Sequence, residues 1–331
     1  MLRYQEPGGT AADRAAGARW LSPRLPSVQA AQVLVCPGAQ GALLAVAGLL
    51  AAPGEAICAE AITFPGFRSL AAHLRIRLLP VAMDREGIDA DAFDAVCRQE
   101  KPKALYCTPT LQNPTTATMS LARREAVIAV ARHHGVPILE DDAYGPLPAS
   151  PPPPLAALAP DLTYYVGGLA KTLSPALRLA YLAVPDTRSA IRVAGAIRAT
   201  AAMASPLTAA IATRWIDDGT ADAVLAAIRK ETAARQAIVA RILPPGAAIL
   251  DPEAYHAWLP LAEPWTRGEF AARLRSVGIG VVVSDAFALS KPPEAVRLGL
   301  GAAGTRAELT EGLHVVADLL DQSPAMSSMV V

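Results

Sequence analysis

The sequence predicts an open α/β sheet domain followed by a smaller α+β unit. From Val33 onward, short apolar runs alternate with helical stretches, which is the pattern of such a sheet. Polar motifs follow several of these runs, where α/β sheets bind their ligands. After Pro244 a shorter set of strands and helices begins. We therefore predict an N-terminal arm over residues 1–30, a large domain over 31–203 and a small C-terminal domain over 204–331.

The arm lacks a sustained apolar period and predicts one short helix that ends near Pro23. The large domain then alternates, in chain order, between VLVC, a helix over 40–50, AICA, a helix after Pro65, RLLP, a helix near 91–99, ALYC, a helix over 121–133 and VPIL. Two further strands are predicted at 164–166, ended by Gly167 and Gly168, and at 179–184.

Helical stretches over 186–204 and 208–243 lead into the second unit. There we predict a strand at 255–259, a helix over 267–276, strands in GIGVVV and AVRLGL, and a helix over 306–320. The run PLPASPPPP after Tyr144 predicts a stiff surface loop, because proline fixes φ and lacks a donor.

Composition favours a globular protein with a small-molecule site. Hydrophobic residues make up 52% of the 331 residues, and thirty basic residues balance thirty acidic ones. With zero net charge, the composition shows no excess of positive charge that would attract nucleic acid or an anionic membrane, so neither partner is predicted. Four cysteines without a CxxC pair or a histidine cluster indicate reduced core thiols and no metal site. No apolar run reaches the ~20 residues of a membrane span, and we predict a cytoplasmic protein.

Three polar motifs lie directly after predicted strands. GAQ at 38–40 follows VLVC, TPTLQNP follows ALYC, and EDDAY at 140–144 follows VPIL. Because ligands bind beyond the carboxyl ends of strands in such sheets, we expect these motifs to share one site.

Lys171 lies in a turn of small residues between two predicted strands. Lysine is strongly hydrated and seldom buried, so two interpretations remain open from this segment alone. It is either a solvated loop residue or a desolvated amine whose lowered pKa allows it to form a Schiff base.

The motifs taken together resemble a known family. GAQ, TFPG at 63–66, QNPT at 112–115, EDDAY, GGLAKTLSPALRLAYL around Lys171 and VRLGLG at 296–301 are similar to the fold-type I, class I/II pyridoxal-phosphate aminotransferases. Their spacing is closest to the aminotransferase-like domain of MocR-type proteins. The resemblance runs from about Tyr4 to about Leu320. It implies a large, mainly parallel, seven-stranded domain, pyridoxal 5'-phosphate as cofactor, and a homodimer whose site is built between subunits.

The resemblance also assigns roles at the phosphate and the ring of the cofactor. Gly38, Ala39, Gln40 and Arg178 match the phosphate-binding positions. Phe64 matches the aromatic residue that stacks on the ring.

The remaining roles concern the chemistry. Asp141 matches the partner of the pyridinium nitrogen, while Tyr144 and Asn113 match the donors to the ring oxygen. Lys171 matches the Schiff-base lysine, and Arg297 matches the arginine that holds a substrate α-carboxylate, with Asn113 beside it.

Other positions depart from the family or match it only weakly. The family usually has hydroxyl residues three and one positions before the lysine, where this chain has Gly168 and Ala170, and Thr172 and Ser174 are uncertain replacements. Asp142 is expected to be structural or exposed. Tyr4 lies where a tyrosine commonly reaches the neighbouring subunit's phosphate site. No helix-turn-helix fits before Tyr4, so the DNA-binding domain of full MocR proteins is expected to be missing.

The function predicted from this resemblance is an aminotransferase acting on an α-amino acid and a 2-oxo acid through a Lys171 Schiff base. Two alternatives stay open. One is a MocR-like effector module that senses pyridoxal phosphate or an amine without turnover. The other is a β-lyase or decarboxylase on the same fold, because all three classes keep the lysine and the aspartate.

Overall fold

A seven-stranded sheet forms the centre of the computed structural model, which describes residues 4–322. Its strands lie in the spatial order β1-β9-β8-β7-β6-β2-β3. Strand β9 runs antiparallel to both neighbours, and the other adjacent pairs are parallel. The seven strands are β1 (Val33–Cys36), β2 (Ala56–Glu60), β3 (Arg77–Val81), β6 (Leu105–Cys107), β7 (Ile138–Asp141), β8 (Thr163–Gly168) and β9 (Ala180–Ala183), and the small hairpin of β4 (Met83–Asp84) and β5 (Gly87–Ile88) follows β3.

Helices cover both faces of this sheet. One face carries α2 (Gly38–Leu50), α3 (Pro65–His73) and α7 (Thr187–Ala201). The opposite face carries α1 (Ala11–Leu21), α4 (Ala90–Glu100), α5 (Leu121–His134), α6 (Leu155–Leu158) and α8 (Pro206–Asp217). Alternate strand residues enter the two cores: Leu34 and Cys36 lie on the first face, and Val33 and Val35 lie on the second. This arrangement confirms the predicted α/β class.

A second, antiparallel sheet follows in the C-terminal part of the chain. Its order is β10-β12-β11, and its elements share one apolar core. The elements of this part are α9 (Thr220–Ile242), β10 (His256–Pro260), α10 (Arg267–Ser276), β11 (Val282–Val283), β12 (Ala295–Gly299) and α11 (Arg306–Leu320). Helices α7, α8 and α9 connect the two sheets, and the domain boundaries at 30/31 and 203/204 remain predictions.

The two glycines predicted to follow a strand are its last two residues. Gly167 and Gly168 pair with Tyr181 and Ala180 in the antiparallel ladder of β8 and β9. A Cβ on Gly167 would come 2.7 Å from Leu21 Cδ2, so glycine here allows the arm to pack closely on the sheet. The strand therefore ends at Gly168 and not at Val166, because Gly167 allows close packing within the strand and does not form a turn.

Other predicted bounds shift for local reasons. The helix expected over 208–243 is two helices, α8 and α9, separated at Gly219, whose φ of +81° ends the first. Helix α2 begins at Gly38 rather than at residue 40, and GIGVVV supplies only the two residues of β11. The proline-rich run is irregular as predicted, but Leu147 and Pro154 in it are buried, so it is not wholly a surface loop.

The arm packs on the large sheet. Helix α1 lies against β1, β9 and α8, and Leu21 and Leu25 enter the core on that face. None of the helices within residues 4–322 has the length and apolar character of a membrane span.

Gly17 of α1 packs against Tyr181 of the sheet with no room for a Cβ. This contact predicts the effect of a substitution on stability. A Cβ at Gly17 would lie 2.7 Å from Tyr181 Cε1, so Gly17→Ala should lower the free energy of unfolding by about 1–3 kcal/mol through overpacking. Gly195, exposed within α7 with nothing within 4 Å of a Cβ, is the matched control. Gly195→Ala should raise stability by roughly 0.5–1 kcal/mol through helix propensity. Urea unfolding of both variants measures this, and equal effects would contradict the packing account.

Candidate active site

A cavity of about 290 Å³ opens at the carboxyl ends of β1, β6, β7 and β8. Because β9 is antiparallel, the residues that precede it reach the same edge. All nine residues predicted to bind the cofactor line this cavity: Gly38, Ala39, Gln40, Phe64, Asn113, Asp141, Tyr144, Lys171 and Arg178. The structure therefore brings together residues that lie far apart in the sequence, although their individual roles remain predictions.

One end of the cavity is suited to an anion. Helix α2 starts at Gly38, whose φ of +76° turns the chain from β1 into the helix. The Arg178 Nη2 atom lies 3.7 Å from the place that a Cβ on Gly38 would occupy. The free N–H groups and positive dipole at the start of a 13-residue helix, together with a guanidinium, form a site for a phosphate.

Asp141 lies at another part of the cavity with one oxygen free. Its Oδ2 accepts a hydrogen bond from Tyr106 Oη at 3.1 Å, whereas its buried Oδ1 has no partner among residues 4–322. Burial raises the pKa of Asp141 to about 7, the adjacent Asp142 carboxylate adds to the rise, and the Tyr106 hydrogen bond opposes it. An unpartnered buried carboxylate oxygen fits a cationic N–H donor on a ligand.

Tyr144 is the second polar residue of the EDDAY motif in the cavity. Only 8% of it is exposed, and burial raises the pKa of its hydroxyl to about 12, so the hydroxyl remains a donor. Its ring lies 5.4 Å from the His256 ring and 6.1 Å from the Tyr255 ring, both in the C-terminal part of the chain.

Arg297 does not line the cavity itself but is tied to it through Asn113. Its Nη1 donates to Asn113 Oδ1 at 2.7 Å, which orients the Asn113 amide nitrogen as a free donor. The Arg297 Cζ lies 5.2 Å from the Phe287 ring centroid, and its buried Nε has no partner among the described residues. Burial lowers the pKa of Arg297, while Tyr144 opposes the shift.

Lys171 is exposed in the single chain, but the surrounding protein still affects its amine. Burial of part of the side chain lowers the pKa of Lys171, and the positive charge of Arg297 lowers it further. Tyr255 fixes the local backbone, since its hydroxyl donates to the Lys171 carbonyl at 2.9 Å. A lowered pKa increases the fraction of neutral, nucleophilic amine, which favours the second of the two interpretations of this lysine.

Several residues that support the site were not predicted from the sequence. Glu60, buried at the end of β2, accepts hydrogen bonds from the Thr108 backbone N–H at 2.9 Å and from the Thr63 hydroxyl at 3.1 Å. Burial raises the pKa of Glu60 to about 7. The signal available in the sequence was an acidic residue ending the apolar run AICAE, where a charge needs partners.

His256 was also missed, and it connects the two sheets. Its Nε2 lies 3.1 Å from the Gln112 carbonyl oxygen, which identifies Nε2 as the donor. Burial lowers the pKa of His256 to about 4, and Arg297 and Lys171 contribute in the same direction, so the ring is neutral at physiological pH. A lone histidine at a strand start gave no sign of this contact.

Asp142 is structural and not exposed. It is fully buried, and Arg24 from the segment after α1 pairs with it at 2.9 Å. Nothing in the spacing of the sequence linked Arg24 to EDDAY.

The structure also answers whether Thr172 and Ser174 replace the missing hydroxyls. The Thr172 hydroxyl faces the Gly168 carbonyl at 3.4 Å, and the Ser174 hydroxyl accepts from the Ala176 N–H at 3.2 Å. Gly168 and Ala170 line the cavity, whereas neither hydroxyl residue does. Within residues 4–322, no group of three or more His, Cys, Asp or Glu side chains is placed to hold a metal ion.

Comparison with curated proteins finds both regulators and aminotransferases. The chain is 29% identical to an uncharacterized HTH-type transcriptional regulator, YdeF, of Bacillus subtilis, over 87% of this chain and 63% of that protein. It is 30% identical to the vitamin B6 salvage pathway transcriptional repressor PtsJ of Salmonella typhimurium, over 86% of this chain and 65% of that protein. It is 33% identical to a 2-aminoadipate transaminase of Thermus thermophilus, over 54% of this chain and 46% of that protein. The chain thus spans less than two thirds of the length of each of these relatives.

Solved structures share the fold over nearly the whole chain. The α-aminoadipate aminotransferase LysN of Thermus thermophilus, complexed with N-(5'-phosphopyridoxyl)-L-leucine, matches with a TM-score of 0.88 and 24% identity, over 99% of this chain and 85% of that one. A kynurenine aminotransferase of Pyrococcus horikoshii matches with a TM-score of 0.89 and 21% identity, over 100% of this chain and 83% of that one.

The family model for aminotransferase class I and II matches residues 1–316. The match spans both sheets, every residue that lines the cavity, and Arg297. The chain belongs to the aminotransferase class I and II family, which confirms the predicted fold-type I architecture and the predicted cofactor, pyridoxal 5'-phosphate.

Proposed function

We propose that the protein is a pyridoxal-phosphate-dependent aminotransferase that moves the amino group of an α-amino acid to a 2-oxo acid. The observation that carries this proposal is Arg297, whose guanidinium is tied to Asn113 at the cavity edge and keeps a buried, unpartnered Nε. A guanidinium with free donors beside a cofactor cavity suits the two oxygens of a carboxylate. The transaminase relative and the family model support the same activity.

The residues present fit the cofactor. The start of α2 at Gly38 and the Arg178 guanidinium would hold its phosphate, and the free Oδ1 of Asp141 would accept the N–H of its ring nitrogen. Phe64 would lie on the ring face, while Tyr144 and the amide nitrogen of Asn113 would donate to the ring oxygen. Lys171 would hold it covalently.

Bound pyridoxal phosphate supplies an aldehyde that condenses with amines and a ring that stabilises negative charge at the substrate Cα. The Lys171 amine would act as the base that takes the proton from the substrate Cα and as the acid that returns it to the cofactor carbon joined to the substrate nitrogen. Burial and the charge of Arg297 lower the pKa of Lys171, which favours the neutral, basic form of its amine. Asp141 keeps a negative charge beside the ring nitrogen throughout.

We also propose that the protein is a homodimer in the cytoplasm. Tyr4 is 91% exposed, and a large aromatic residue in that position is available for contact with a second copy. All four cysteines are buried free thiols, which suits a reducing compartment. Amino acids and 2-oxo acids are the proposed small-molecule partners.

A second candidate function is an effector module that binds pyridoxal phosphate or an amine without turnover. Two observations favour it: full-length regulators are among the relatives, and the cavity has Gly168 and Ala170 where the family usually has hydroxyls. A β-lyase or decarboxylase would keep the same lysine and aspartate, and no contact in this cavity favours either reaction.

The missing hydroxyl leads to a prediction about cofactor affinity. Gly168 has an ordinary strand conformation, and a Cβ there would lie 3.4 Å from Ala39 Cβ, so a serine fits. Gly168→Ser should tighten pyridoxal phosphate binding by roughly ten- to a hundredfold, because a phosphate hydrogen bond contributes ~1.5–3 kcal/mol. Equilibrium dialysis measures this, with Gly195→Ser on exposed α7 as control. Unchanged or weaker binding in a folded Gly168→Ser protein would rule out the missing hydroxyl as a determinant of affinity.

The role of Arg297 gives the test that separates an enzyme on α-amino acids from a sensor. Lysine keeps the charge but cannot form two parallel hydrogen bonds to a carboxylate. Arg297→Lys should keep the visible absorbance of the bound cofactor and lose about a hundredfold, on the order of 3 kcal/mol, in the second-order rate with an amino acid. Simple amines without a carboxylate should be little affected.

Arg275→Lys, at an exposed position on α10, is the matched control and should change neither rate. If amino acids and plain amines respond alike to Arg297→Lys, the carboxylate role is wrong. The effector module would then be the better description of this domain.

A further inference from the structure

Two neighbouring carboxylates are buried together at the end of β7. Asp141 is 5% exposed and Asp142 is fully buried. Ionising both in a low-dielectric interior is costly unless a cation or strong donors compensate at least one of them. How each carboxylate is compensated therefore decides the charge that Asp141 presents to a ligand.

Of the two carboxylates, Asp142 is the one paired with a cation, although its donors all reach Oδ2 and its buried Oδ1 has no partner among the described residues. Arg24 donates to its Oδ2 from Nη2 at 2.9 Å and from Nε at 3.1 Å, and Tyr165 Oη donates to the same oxygen at 2.8 Å. Arg24 is 8% exposed and is held in place by the Pro152 carbonyl at 2.9 Å. Asp141 receives the Tyr106 hydroxyl, and the nearby Ala143 backbone N–H also lowers its pKa, but no cation of the described residues pairs with it.

A second buried pair lies nearby and is only partly satisfied, because the buried Arg124 Nη1 has no hydrogen bond among the described residues and the Asp142 charge also raises the pKa of Glu140. Arg124 lies 3.7 Å from Glu140 and donates to the Pro109 and Met119 carbonyls, while Glu140 accepts the Leu155 and Ala156 N–H groups. Arg24 is thus the cation that faces Asp142 directly, and it comes from the segment between α1 and β1.

We propose that Arg24 is a positioning residue: by neutralising Asp142 it allows Asp141 to carry the negative charge that a cofactor ring nitrogen needs, and so links the packing of the arm to cofactor binding. This inference rests on the proposed role of Asp141 and goes beyond it, because Arg24 touches neither substrate nor cofactor. The negative charge of Asp142 raises the pKa of Asp141. Without Arg24 the charge of Asp142 would be uncompensated, and the pKa of Asp141 would rise further. Losing Arg24 would leave Asp142 as a buried, unpaired anion beside Asp141.

A double-substitution cycle separates this charge effect from simple tethering of the arm. Arg24→Met removes the cation, Asp142→Asn removes the anion, and the combined variant removes both while keeping similar side-chain volumes. If charge is the cause, Arg24→Met should weaken pyridoxal phosphate binding at least tenfold, and adding Asp142→Asn should restore most of it. If Arg24 only anchors the arm, the combined variant should be as weak as Arg24→Met.

The measurements are the dissociation constant by equilibrium dialysis and the visible absorbance of the bound cofactor as a function of pH, and neither requires turnover. In Arg24→Met, the unpaired Asp142 should cause Asp141 to take up a proton, so Asp141 would present less negative charge to the ring nitrogen. The absorbance transition that reports loss of the ring-nitrogen proton should therefore move to lower pH. The combined variant should return this transition toward its wild-type position. Arg19→Met, which removes an exposed ion pair of α1 with Asp217, is the control and should change nothing.

If Arg24→Met does not fold, Tyr165→Phe provides the same test with the arm contact intact. It removes one donor to Asp142 and should weaken binding several-fold in the same direction. Unchanged cofactor affinity and spectra in Arg24→Met and Tyr165→Phe, or no recovery in the combined variant, would overturn the proposal. Turnover of amino acids by the wild type tests the proposed function separately, so the two can fail independently.

Discussion

The free Oδ1 of Asp141 is the constraint on which the candidate site depends. A buried carboxylate with one hydroxyl donor and one unpartnered oxygen is costly for a folded protein. A cationic ring N–H would satisfy it, and the surrounding strand ends place an anion site, a lysine and an arginine around the same cavity. A cofactor whose ring N–H donates to this oxygen would offset the cost of burying the carboxylate, and this gain would contribute to cofactor binding.

The second general feature is that side chains of the small sheet contact the segment that contains Asn113, one of the residues that line the cavity. Arg297 of β12 bonds to Asn113, and His256 of β10 bonds to the adjacent Gln112 carbonyl. Tyr255, next to His256, bonds to the Lys171 carbonyl. These three contacts set the position of Arg297 relative to Lys171, so a movement between the two sheets would alter both groups together.

Much of the fold and the cavity could be predicted from the sequence because the signals were local. Alternating apolar runs located the strands of the large sheet, and the motifs that follow them came together since parallel strands share one carboxyl edge. Gly167 misled because a glycine that permits close packing on Leu21 looks the same in sequence as one that permits a turn.

Arg24, His256 and Glu60 could not be assigned from sequence, because their partners lie 118, 144 and 48 positions away and no periodicity connects them. Their contacts are set by the tertiary arrangement alone. The same holds for Thr172 and Ser174: a hydroxyl near the lysine was visible in the sequence, but its direction was not.

The central claim, that this cavity transfers amino groups, is tested most directly by a single-turnover experiment. The protein loaded with pyridoxal phosphate is mixed with each of a panel of α-amino acids, and conversion to pyridoxamine phosphate and the 2-oxo acid is followed by absorbance and mass spectrometry. We expect at least one amino acid to convert the cofactor stoichiometrically, and Lys171→Ala to abolish the conversion. A protein that binds the cofactor through Lys171 yet converts it with no amino acid of the panel would contradict the claim.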